Sequence, residues 1–159
     1  MAGDPAASVI RRHSARAILL DDAGRLVLLR RTRPGQAPYW TTAGGGVEAD
    51  DATVEAALHR ELKEELGAEA TGASQVLLFS FLSRDGLAVA HFFVARLVRM
   101  DVSSRTGPEF ADPARGAYDL EVVDLRGDAL VNLDLRPPEV KQFILANREA
   151  LLAEAGLLT

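Results

Sequence analysis

From Ala15 to Leu20 the apolar residues are β-compatible, and a second apolar run covers Leu26 to Leu29. Asp21-Asp22-Ala23-Gly24 lies between them, so the two runs read as a hairpin. Arg30, Arg31 and Arg33 follow, then a loop over Pro34-Gly35-Gln36-Ala37-Pro38. Tyr39 to Thr42 is short, aromatic and β-branched, a strand that runs into Gly44-Gly45-Gly46. Thr53 to Leu66 carries the helical period and stops at Gly67 in the C′ position. Gln75 to Ser83 and Leu87 to Val98 flank Asp85-Gly86, a strong hairpin signal. Arg99 to Ala117 reads as a long polar loop, and loops of that length tend to be functional. Tyr118 to Leu125 is another strand. Pro137-Pro138 then opens one last helix reaching about Ala155, with Val140, Phe143, Ile144, Asn147 and Leu151 on one face. Residues 1–13 are small, polar and mixed in charge, a flexible N-terminal arm, and 14–159 form one domain. Strands, a helix, strands and a helix predict an α/β or α+β sandwich around a mixed sheet.

Composition narrows this picture. At 159 residues, 48% of them hydrophobic, the chain has enough apolar material for a single core. The absence of cysteine excludes disulfides, thiolate zinc sites, iron–sulfur clusters and a cysteine nucleophile. A net charge of −5 argues against binding a nucleic-acid polymer, which needs a basic footprint. Only Lys63 and Lys141 are lysines, so nearly all the basic side chains are arginines, suited to bidentate phosphate contacts. Leu87 to Val98 is interrupted by His91 and Arg96 and is too short and polar to span a bilayer. With no apolar run near Met1, the expected location is the cytoplasm.

Charge changes the reading of the first helix. Val54, Leu58, Leu62 and Leu66 make an apolar stripe, and Glu61, Glu64 and Glu65 crowd along its flank. A solvated face pairs Glu with Lys or Arg four residues on. Here Glu61 meets Glu65, and Glu65 meets Glu69, and such like-charge pairs cost about 0.2–0.5 kcal/mol each. Only Arg60 offsets them. Three hard carboxylates short of a cation suit Mg²⁺ or Mn²⁺ and not zinc. The glycine run upstream can approach a ligand closely. Its match to a dinucleotide fingerprint fails on context, because the helix starts late and no second strand ends in an acid about 20 residues on. His13, His59 and His91 show no ligand spacing.

Taken together, the segment GGGVEADDATVEAALHRELKEELGA resembles the Nudix box, G-x5-E-x7-R-E-U-x-E-E-x-G-U, where U is a bulky aliphatic. Arg60-Glu61-Leu62-Lys63-Glu64-Glu65-Leu66-Gly67 fits its second half, with Ala68 at the final aliphatic position. The first half departs: Asp51 stands where the box has Glu, eight residues separate it from Arg60, and Ala43 replaces the usual Pro. The order of elements is similar to the Nudix α/β/α sandwich, a mixed sheet between helices.

The resemblance implies Mg²⁺-dependent (or Mn²⁺-dependent) hydrolysis of a nucleoside diphosphate linked to another moiety, nucleoside triphosphates included. By position, Glu61, Glu64 and Glu65 become the metal-binding carboxylates, Arg60 their brace and the carbonyl near Gly44 a further ligand. Glu61 is the first choice of general base, with Glu65 in the catalytic set and Glu109 of the long loop as another candidate base. Asp119 or Glu121 is a further candidate ligand. Arg30, Arg31, Gly44 and Gly45 fall in the substrate-binding set, with Arg30 and Arg31 pointing to opposite faces of their strand. Tyr39 and Trp40 are candidates for stacking on a base. The implied partner is a small nucleotide-type substrate, and a homodimer is compatible with the resemblance. The alternative function is a nucleotide sensor on the same fold with little or no turnover.

Overall fold

The computed structural model describes residues 10–106 and 116–158. Six strands form one mixed sheet: β1 (Ile10–Leu20), β2 (Arg25–Thr32), β3 (Tyr39–Gly46), β4 (Ala68–Ser83), β5 (Gly86–Met100) and β6 (Ala117–Asp124). Their order is β4-β5-β1-β3-β2-β6. The hairpins expected around Gly24 and Asp85 are both present, β1 antiparallel to β2 and β4 antiparallel to β5. The pairing of β1 with β5 is parallel and makes the sheet mixed. β3 is inserted between the two strands of the first hairpin, antiparallel to both.

Alternation along the central strands divides the core in two. Ala15, Ala17 and Leu19 of β1, with Val27 and Leu29 of β2, face helix α1 (Val54–Leu66) and its Leu58, Leu62 and Leu66. Each leucine so buried contributes about 2 kcal/mol relative to exposure. Ile18, Leu20, Leu26 and Leu28 face the other way, toward α2 (Ala129–Asn132), α3 (Pro138–Ala146) and α4 (Arg148–Glu154). The expected layers of an α+β fold, helices on both faces of a mixed sheet, are therefore present.

Helix α1 begins and ends where its sequence directs. Thr53 is extended, and its hydroxyl accepts the Ala56 N–H at 3.0 Å. Gly67 adopts φ 60°, and its N–H donates to the Lys63 carbonyl at 2.9 Å. A Cβ there would lie 1.9 Å from the Asp101 carbonyl oxygen, so glycine is required twice over.

Four expectations need correction. Strand β1 starts at Ile10, so the last four residues of the expected 1–13 arm are strand. Strand β3 does not end at Thr42 but continues through the glycine run to Gly46. The long loop shrinks at both ends, because β5 runs to Met100, followed by a short 3-10 turn over Val102–Ser104, and β6 begins at Ala117. The single last helix is two helices, broken at Asn147 (φ −126°, ψ 25°), with α2 ahead of them. The Asn147 side chain donates to the Phe143 carbonyl at 2.8 Å, the local competition with helical hydrogen bonding that asparagine favours. Val140, Ile144 and Leu151 still reach one core, because the kink keeps both segments against the sheet. Among the described residues no helix is long and apolar enough to cross a membrane.

Candidate active site

Helix α1 lays its acids against the glycine segment of β3. Glu65 is only 6% exposed, and its Oε2 accepts the Gly44 N–H at 2.9 Å. A carboxylate so deep needs such a donor, since burial without one is costly. The Glu61 carboxylate occupies the place where a side chain at Gly45 would begin, 2.5 Å from an ideal Cβ. Any larger residue at 45 would displace that carboxylate.

The like charges are held together by Arg60. Its Nε donates to Asp51 Oδ1 and its Nη2 to Asp51 Oδ2, both at 2.9 Å. Nη1 donates to Glu61 Oε1 at 3.0 Å and to Glu64 Oε2 at 3.2 Å, and Nη2 also reaches the Gly46 carbonyl at 2.9 Å. The guanidinium thus ties helix, glycine strand and entering loop together. Asp51 is set by that bond and by the Glu48 N–H at 2.8 Å, which together pull its pKa from 3.8 to about 2. Arg60 moves above its ordinary value, chiefly through the Asp51 hydrogen bond and then through Glu61. Asp51 therefore performs a bracing job despite the altered spacing. At the other end of α1, Arg105 Nε donates to the Glu65 carbonyl and the Thr106 N–H to the Glu64 carbonyl, each at 3.0 Å.

The donor set fits a hard divalent cation: three glutamates beside backbone carbonyls, with a side-chain-free strand to approach. Among the described residues no three acidic or histidine side chains already converge as a cage. Glu61 and Glu64 instead share Arg60, which is a cation in the same neighbourhood.

On the other side of Gly44 stands Arg16, which the sequence reading passed over. Gly44 has φ 148°, and a Cβ on it would come within 2.9 Å of Arg16 Cγ. Arg16 Nη1 donates to the Thr42 carbonyl at 3.0 Å. Burial lowers its pKa below the ordinary guanidinium range, while Glu65 and, more weakly, Glu61 oppose the shift. A signal was available, because Arg16 is the one charge inside the otherwise small or apolar run Ser14 to Leu20.

The remaining sequence candidates are dispersed. Arg31 lies over the Tyr118 ring at 3.6 Å and near Tyr39 at 5.8 Å, on the α1 side of β2. Arg30 is exposed on the opposite face, 6.0 Å from the Trp40 ring. Trp40 Nε1 donates to Glu121 Oε2, which engages that carboxylate away from α1, and Asp119 pairs across from Arg30. Glu109 lies outside the described residues. His13 and His91 do meet, Nδ1 to Nε2 at 2.9 Å, and burial followed by the neighbouring ring lowers the His91 pKa.

Residues 10–132 match the family model described as NUDIX domain. The solution structure of the E. coli ORF135 protein superposes with a TM-score of 0.63 at 24% identity, covering 92% of this chain and 97% of that one. A MutT NUDIX hydrolase from Burkholderia pseudomallei gives 0.57 at 25% identity over 85% and 95% of the two chains. A NUDIX hydrolase from Nitrosomonas europaea gives 0.66 at 15% identity over 87% and 88%. No curated protein matches the sequence.

Proposed function

Because the chain belongs to the Nudix family, hydrolases of phosphoric anhydride bonds, we propose that it is a Mg²⁺-dependent pyrophosphohydrolase of nucleoside diphosphates linked to another moiety. The observation that carries this reading is the pair of contacts between α1 and β3: Glu65 on the Gly44 N–H and Glu61 in the cradle left by Gly45. Acids meant only for solvent have no reason to be folded against a side-chain-free strand.

In this reading Glu61, Glu64 and Glu65, with the Gly44 carbonyl, hold the cation. Bound there, Mg²⁺ would withdraw charge from phosphorus and lower the pKa of attacking water. Arg60 ties Glu61 and Glu64 to each other through Nη1 and to the Gly46 carbonyl through Nη2. A Glu61 carboxylate oxygen takes the water proton as the new P–O bond forms, and the bridging P–O bond breaks to release a phosphate anion. Glu109 remains the second candidate for that proton. The alternative, a sensor without turnover, drew its support from the altered first half of the box. Asp51 nevertheless grips Arg60, which favours the enzyme.

The deciding assay mixes purified protein and Mg²⁺ with dNTPs, nucleotide sugars, ADP-ribose and dinucleoside polyphosphates, and follows the nucleotide products by chromatography. Turnover should vanish with EDTA and fall by about a hundredfold or more in Glu65→Gln. Inactivity on every compound, or full activity in that variant, counts against the proposal, and tight binding without release selects the sensor.

A further inference from the structure

A cavity of about 820 Å³ opens beyond Arg16, on the sheet face that carries α2 to α4. Ser14, Ala90 and Phe92 line it from the central strands, Phe79 and Phe81 from the β4 side, and the Arg136–Pro138 segment from the β3 side. Its volume is within the range of a cofactor-sized ligand and well beyond the needs of a diphosphate. Among the described residues its lining holds four arginines, Arg11, Arg12, Arg16 and Arg136, against the single carboxylate of Asp85.

We propose that this cleft selects substrates whose non-scissile part carries a second anionic group, a phosphate ester or carboxylate remote from the cleaved anhydride, read by Arg12 and Arg136. The inference rests on the pyrophosphohydrolase reading and adds the chemistry of the attached moiety. Arg16 shares Gly44 with Glu65, so it adjoins the place where the anhydride would be cleaved. Arg12 is four residues away on the same face of β1, roughly 13 Å along the strand, farther than one diphosphate spans. No hydrogen bond or ion pair joins Arg12 to the described residues, and its Nη2 lies 3.6 Å from the position of a Cβ on Gly46. Arg136 lines the other wall, 4.2 Å over the Tyr39 ring and 3.0 Å from Asp134, with half of its side chain still exposed. An uncharged nucleoside pressed into this cleft would strip water from Arg12 and return no negative charge to offset its own, a net cost. A phosphate or carboxylate offers the bidentate acceptor that a guanidinium fits. Phe79 and Phe81, 5.9 Å apart and tilted, give a ring of the same moiety an apolar surface.

Matched dinucleotides that differ by one remote phosphate test this: NADP⁺ against NAD⁺, and coenzyme A against its 3′-dephospho form. Two readouts are taken on the whole protein, kcat/KM with Mg²⁺ and binding by calorimetry in EDTA, where turnover stops. The phosphorylated member of at least one pair should be favoured by about tenfold or more, mainly through KM or Kd. Arg12→Met and Arg136→Met should each pull that ratio toward one. A ratio near one in the wild type, or arginine variants that weaken both members equally, overturns the inference while leaving the hydrolase reading intact. Preferential binding with no turnover upholds the inference, and neither binding nor turnover of any member overturns it; the hydrolase reading falls only if the wider panel is inactive as well.

Discussion

Arg60 and Asp51 meet through two parallel hydrogen bonds of 2.9 Å across the loop that enters helix α1. Their side chains are 23% and 7% exposed, so the pair is largely shielded from water. Through the other edge of the guanidinium, Asp51 acts on Glu61 and Glu64 without touching either. The loop is one residue longer than in the Nudix box, and the shorter acid still closes the fork.

Removing that acid should therefore damage catalysis more than folding. Asp51→Ala should lower kcat/KM by about 10–100-fold, the usual cost of losing a residue that orients ligands from behind. Asp51→Glu should recover part of the loss, because the charge returns at a different reach. Steady-state kinetics beside thermal melts would show it, and equal activity of Asp51→Ala and wild type would rule out the bracing role.

The same pair sets a pH dependence of stability. Because its folded pKa lies near 2 and below the ordinary 3.8, Asp51 stabilises the fold fully above about pH 4–5. That contribution drains away as pH falls through the interval down to about 2. Melting curves of wild type and Asp51→Asn between pH 2 and 6 should accordingly separate at the upper end and converge at the lower.

Gly45→Ala isolates the cradle of Glu61. Gly45 does not have a positive φ, so its backbone accepts alanine, yet the new Cβ would sit 2.5 Å from the Glu61 carboxylate. The obstacle is the end of a flexible side chain, so the melting temperature should fall little. Activity should fall about a hundredfold, as misplacement by an ångström can cause. A variant with near-native kcat would show that Glu61 need not occupy that cradle.

Thr53→Ala tests the helix by itself. Loss of the cap to the Ala56 N–H should cost about 1 kcal/mol, a drop of roughly 2–4 °C in Tm for a chain of this size. Calorimetry should register this with kcat/KM nearly preserved, since the cap lies two turns before Glu61.

Elements that depend on neighbours in the chain were legible in the sequence. Both hairpins, the start and stop of α1 and the crowding of Glu61, Glu64 and Glu65 follow from turn chemistry and a 3.6-residue period. The break at Asn147 was not, because the apolar spacing of Val140, Ile144 and Leu151 is compatible with an unbroken helix as well as with a kinked one. Nor was the role of Arg16, whose meaning comes from Gly44 being laid beside it.

What the sequence determined by itself is a local chemistry: acids gathered on one helix behind a run of glycines. What only the tertiary structure decided is what those acids face. The antiparallel pairing of β1 with β3 and the parallel pairing of β1 with β5 join residues tens of positions apart, and nothing local encodes such partners. Those pairings put Gly44 between Glu65 and Arg16 and open the arginine-lined cleft on the far face, because a strand sends alternate side chains to opposite sides.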